Sequence, residues 1–73
     1  MADVFQALSS PVRRKILAIL KEKDCSAGDI AEHIDVAKST LSGHFNVLKA
    51  ADLVVTIKRG TTITYSLNIS VVE

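Results

Sequence analysis

The chain has 73 residues, 48% apolar and 23% charged, a formal net charge of +1, one cysteine and no tryptophan. That length accommodates one small domain over residues 1–73, whose folding hides only about 60% of its unfolded surface. A lone cysteine excludes an intrachain disulfide and a Cys/His metal cluster, and nothing approaches the ~20 apolar residues of a membrane span or the basic-then-apolar pattern of a signal peptide. Oligomerisation is therefore the expected support for a marginal core, and the cytoplasm the expected location.

Apolar periodicity divides the chain into a helical regime up to residue 51 and a period-two regime from residue 53. The first helix covers about residues 2–8, with Val4, Phe5 and Leu8 on one side. Ser9-Ser10-Pro11 then breaks and restarts the chain: Ser10 serves as N-cap and Pro11 suits the first helical position. The second helix runs to about residue 23, with Val12, Ile16, Ile19 and Leu20 facing a core. Its first turn carries Arg13, Arg14 and Lys15, where the helix dipole disfavours positive charge. DNA phosphates and the acidic third helix are the two candidate compensators.

Ser26-Ala27-Gly28-Asp29 is a capping box that opens a third helix through about residue 34, burying Ile30, Ala31 and Ile34. A short turn at residues 35–38 leads into a fourth helix, about residues 38–51, with Leu41, Phe45 and Leu48 turned inward. Two short helices joined in this way make a helix-turn-helix. From residue 53, Leu53, Val55 and Ile57 alternate, as do Ile63, Tyr65 and Leu67. Matching those apolar sets pairs Ile57 with Ile63, Val55 with Tyr65 and Leu53 with Leu67. This register leaves a five-residue tip at residues 58–62, preferred to a two-residue turn at Arg59-Gly60. The expected fold class is α+β: four helices, mainly α in content, followed by a C-terminal β-hairpin with a basic tip. This is the order of a winged helix-turn-helix.

With Leu41, Phe45 and Leu48 inward, the ~100° step per residue turns Ser39, Ser42, Gly43, Asn46 and Ala50 outward, flanked by Lys38 and Lys49. Hydroxyl and amide groups donate or accept at base edges and phosphates, and Lys58 and Arg59 sit where a wing reaches neighbouring backbone. Residues 24–35 hold four carboxylates and no Lys or Arg, whereas residues 36–60 hold four basic side chains against Asp52 alone. The small net charge thus conceals a basic strip along the fourth helix and the hairpin. No Ser/His/Asp or Cys/His spacing and no Gly-rich phosphate loop suggests catalysis, so neither an enzyme nor a cofactor is expected.

The stretch from Leu8 to Leu17 (LSSPVRRKIL) resembles the opening of ArsR/SmtB-type bacterial repressors. The resemblance continues through Ala27-Gly28-Asp29-Ile30-Ala31, the segment Thr40 to Leu48 (TLSGHFNVL), Ala51-Asp52-Leu53-Val54 and Tyr65-Ser66-Leu67-Asn68. In ordering and detail the chain is most similar to the SdpR-like branch, which includes autorepressors. The resemblance implies a homodimeric winged-helix repressor whose fourth helix enters the major groove at palindromic half-sites of double-stranded DNA. The DNA-facing residues would be Lys38, Ser39, Thr40, Ser42, Gly43, His44, Asn46 and Lys49, with Lys58 and Arg59 on the wing. His44 matches a family histidine and lies beside the inward stripe, which suits a residue that orients the helix as well as one that touches phosphate. The SdpR-like branch further implies a protein anti-repressor as the source of derepression, while the lack of an apolar span leaves no membrane insertion of this chain expected.

The departures are specific. The family commonly has Ser at the position of Ala37 and Arg or His at that of Gly43, and it continues into a C-terminal helix that pairs with the partner's copy. Residues 71–73 end the chain before such a helix. Either the chain is a piece of a longer protein or its dimer relies on the first helix and the tail. The family's Cys-x-Cys metal ligands align with Ser26 and Gly28, so Cys25 is off that pattern and reads as a passive thiol. His33 reads as a surface residue, and no metal site is expected. The alternative from a different class is a winged helix used for protein–protein contact or dimerisation, with weak or no DNA binding.

Overall fold

Four helices and three strands make up residues 4–68, the part of the chain that the computed structural model describes. They are α1 (Val4–Leu8), α2 (Pro11–Glu22), β1 (Cys25–Ser26), α3 (Ala27–His33), α4 (Lys38–Ala50), β2 (Val54–Arg59) and β3 (Thr62–Leu67). The expected helix start at Ala2 and the tail at residues 71–73 lie outside the described residues. Among the described residues no helix is long and apolar enough to cross a membrane.

Local chemistry accounts for the helix ends. Ser10 is extended (φ −94°, ψ 129°) and its side chain accepts from the Arg13 N–H, with Pro11 next to it in the first turn. At α3 both halves of the capping box form: Asp29 N–H donates to Ser26 Oγ at 3.2 Å, and Ser26 N–H donates to Asp29 Oδ2 at 3.3 Å. Helix α4 has no such cap, because Ala37 sits at its N-cap with no side chain to accept; a capping side chain is worth about 1 kcal/mol. Its C-terminus closes with the Asp52 N–H on Lys49 O and the Leu53 N–H on Leu48 O, both at 3.0 Å. That bond pair is a Schellman motif, in which the left-handed residue is usually glycine. Here it is Asp52, at φ 60°.

The core is one cluster in which every element takes part except β3, whose Tyr65 and Leu67 pack against it half-buried. Ile16 and Leu20 enter from α2, Ile30 from α3, and Leu41, Phe45 and Leu48 from α4, as their spacing predicts. On α1 the buried residue is Ala7, whereas Val4, Phe5 and Leu8 are exposed.

The sheet departs from expectation twice. It has three antiparallel strands in the order β1-β3-β2, because Cys25 and Ser26 pair with Tyr65 and Thr64. And the β2–β3 register runs Val54↔Leu67, Thr56↔Tyr65, Lys58↔Ile63 and Arg59↔Thr62, one residue off the expected pairing. The connection is the two-residue tip Gly60-Thr61, with Gly60 at φ 62°, so the five-residue tip does not form and neither does a turn at Arg59-Gly60. A positive-φ glycine in the first central position suits a tight hairpin. The slip has a local cause. Leu53 is buried as the apolar residue that follows the α4 cap, so its burial belongs to the helix end and strand alternation begins at Val54. Val54 is 3% exposed and Val55 is 43% exposed, the reverse of the expected faces.

Candidate nucleic-acid interface

The inward stripe of α4 decides which of its side chains are presented. Leu41, Phe45 and Leu48 are buried, and the Phe45 ring stacks on Tyr65 of β3 with centroids 4.2 Å apart and planes 16° from parallel. That stack seats α4 on the sheet. Lys38, Ser39, Thr40, Ser42, Gly43, Asn46 and Lys49 of α4 are exposed, with Lys38 and Lys49 flanking the inward stripe. Seven of the expected site residues are therefore solvent-exposed on α4, in an arc of about 200° that carries hydroxyl, amide and ammonium groups and no carboxylate. Gly43 contributes backbone alone, and a methyl group added there would meet nothing within 4 Å. A half-open groove of about 200 Å³ runs between α3, α4 and β3, lined by Ala31, Leu41 and Tyr65 together with Lys38 and Ser42 of this surface.

Lys58 and Arg59 are exposed, but they lie at the end of β2 and not in a loop. As consecutive strand residues they leave opposite faces of the hairpin. On the face that carries Tyr65, Ile63 near the tip is already 47% exposed, so the hairpin end projects past the helices as a wing does.

His44 is the site residue that does not join the exposed surface. It is half-buried, and its Nδ1 lies 3.1 Å from Arg13 Nη1 on α2. Arginine has no acceptor, so Nδ1 accepts and the ring is the neutral tautomer with its proton on Nε2. Burial, and after it the Arg13 charge, hold the imidazole pKa below its ordinary value. The unfolded chain therefore binds this proton more readily than the folded one, and stability falls as pH drops below about 6.5 toward the lowered folded value. Thermal midpoints read between pH 7.5 and 5.5 are expected to decline over this window in the wild type. The decline over that window should be shallower in His44→Asn.

The basic first turn of α2 has a partner other than the two candidates its charge suggested, DNA phosphates and the acidic third helix. Arg13 Nε donates to Ala7 O and Nη2 to Gln6 O, each at 2.8 Å, and Arg14 Nη1 donates to Leu8 O at 2.7 Å. The carbonyls at the C-terminus of α1, at the negative end of its dipole, thus compensate the charge, although Gln6 O also accepts from the Ser9 N–H and hydroxyl. Neither the acidic third helix nor DNA is needed for that. The available signal was the awkward charge itself; its partner could be found only once α1 was docked.

Cys25 is buried in β1 and its thiol donates to Lys23 O at 3.5 Å, while His33 is exposed at the end of α3. Among the described residues no three His, Cys, Asp or Glu side chains converge as metal ligands would.

A family model described as "Bacterial regulatory protein, arsR family" matches residues 10–56. The chain is 48% identical over 73 residues to the transcriptional repressor SdpR of Bacillus subtilis (strain 168), covering 100% of this chain and 81% of that protein. It is 33% identical over 67 residues to the HTH-type transcriptional regulator CmtR of Mycobacterium tuberculosis (strain ATCC 25618 / H37Rv), of which it spans 57%. Among solved structures, an ArsR-like transcriptional regulator from Rhodococcus sp. RHA1 superposes with a TM-score of 0.88 at 35% identity, covering 94% of this chain and 63% of that one.

Proposed function

The chain belongs to the arsR family of bacterial regulatory proteins, and from that premise we propose that it is a sequence-specific DNA-binding transcriptional repressor working as a homodimer. The observation that carries the reading is the exposed, carboxylate-free surface of α4, seated on the sheet by the Phe45–Tyr65 stack. Ser39, Thr40, Ser42 and Asn46 read base edges in the major groove, with Asn suited to adenine, and Lys38 and Lys49 meet the flanking phosphates. Lys58 and Arg59 add backbone contacts from the wing. Exposed Val4 and Leu8 on α1 supply apolar surface to a second copy, which makes the operator palindromic. A protein anti-repressor is the proposed release signal. No metal or cofactor enters this reading.

The test is a binding titration on two duplexes, one selected from a random pool and one random, at 50 and 200 mM salt. Wild type is expected to bind both with affinity falling steeply with salt and to prefer the selected duplex. Asn46→Ala should cut that preference by about 5- to 150-fold, the worth of one well-made base contact, and Ser42→Ala by less. No salt-dependent binding of either duplex at micromolar protein overturns the reading.

A further inference from the structure

Helix α4 is weak where its outward face has to be most accurate. Its N-terminus lacks a side-chain cap at Ala37, and Gly43 interrupts its middle turn; a mid-helix glycine lowers helix propensity relative to alanine. Next to that glycine, His44 is tied to Arg13, and the same guanidinium is bonded to Gln6 and Ala7 of α1. One planar group therefore joins the end of the first helix to the middle of α4, two elements more than thirty residues apart in sequence. Successive residues turn by ~100° about the helix, so His44 lies ~200° from both Ser42 and Asn46. A bond that holds His44 on the inner side consequently sets the rotation at which those two side chains are presented.

We propose that Arg13, acting through His44, is a positioning residue for DNA readout: it fixes the rotational setting of α4 against α1 and touches no DNA itself. The proposal rests on the reading of α4 as the groove-entering helix. Its chemistry favours arginine over lysine, because three donors in one plane reach three acceptors on two elements, whereas an ammonium is a point charge on a flexible stem.

Arg13→Ala would remove the bonds to Ala7 O and Gln6 O together with the bond to His44 and so mix a folding effect with the positioning one, so the test works from the other end of the bond. His44→Ala leaves the bonds of Arg13 to α1 intact, and His44→Asn restores an acceptor near the position of Nδ1. Binding of the selected and random duplexes is measured across a salt series for each variant, with circular dichroism reporting the fold. His44→Ala is expected to lose about tenfold in preference for the selected duplex while keeping the wild-type salt slope, and His44→Asn to recover most of that preference. Arg13→Lys is expected to lose preference similarly, with Arg13→Lys/His44→Ala no worse than His44→Ala. A salt slope lowered by about one unit in His44→Ala would mean direct phosphate contact and overturn the proposal. So would a full-strength preference in both single variants. Failure of the wild type to bind DNA would instead remove the functional reading beneath it, so the two failures are distinguishable.

Discussion

Replacing Phe45 by alanine is expected to remove about 3–5 kcal/mol of folding stability. The ring is 3% exposed and stacks on Tyr65, so its loss opens a cavity where α4 meets the sheet and also removes an aromatic pair. A chain of 73 residues has roughly 4–11 kcal/mol in total at ordinary stability per residue, so this one change takes from about a quarter to all of it. Urea unfolding followed by circular dichroism measures the effect as a lower midpoint at similar slope. Phe45→Leu should cost less than half as much, since it keeps most of the volume. A cost below about 1 kcal/mol for Phe45→Ala would show that the stack does not join helix to sheet.

Removing both wing charges is the larger functional perturbation. Each phosphate contact contributes about −0.9 to the slope of log affinity against log salt, equivalent to about fivefold in affinity near 0.15 M. Lys58→Ala/Arg59→Ala should therefore weaken binding to the selected and the random duplex alike, by about 25-fold, and flatten the slope by nearly two units. Preference between the two duplexes should hold, because backbone contacts position the protein without reading sequence. The two residues leave opposite faces of β2, so the single variants reveal whether one face or both meets the backbone. A slope unchanged in the double variant would remove the wing from the interface.

These predictions draw on features that differed in how openly the sequence displayed them. The Ser10-Pro11 start, the Ser26–Asp29 capping box and the inward stripe of Leu41, Phe45 and Leu48 were all readable, and so was the exposed surface of α4. Each depends on residues within about four positions of one another, and such spacings act through local backbone geometry alone. The helix-turn-helix followed, and the order of segments resembling the ArsR/SmtB type carried the family.

The remainder depended on partners distant in the chain. Two residues at Cys25–Ser26 carry no strand signal; they become a strand because β3 offers an open edge beside them. The hairpin register could not be taken from alternation, since Leu53 is buried for the sake of the helix end and only Val54 onward obeys the pleat. The end of α4 near residue 51 was readable, but its Schellman cap was not, because Asp52 occupies the left-handed position where glycine would have announced it. Arg13 read as an unfavourable charge until α1 was docked, when its carbonyls and His44 supplied three acceptors for one guanidinium. Local pattern thus established which segments are helices and which face of α4 is polar. How α4 is seated, and what holds its rotation, came from packing alone, because a hydrogen bond across more than thirty residues imposes no periodicity on the residues between.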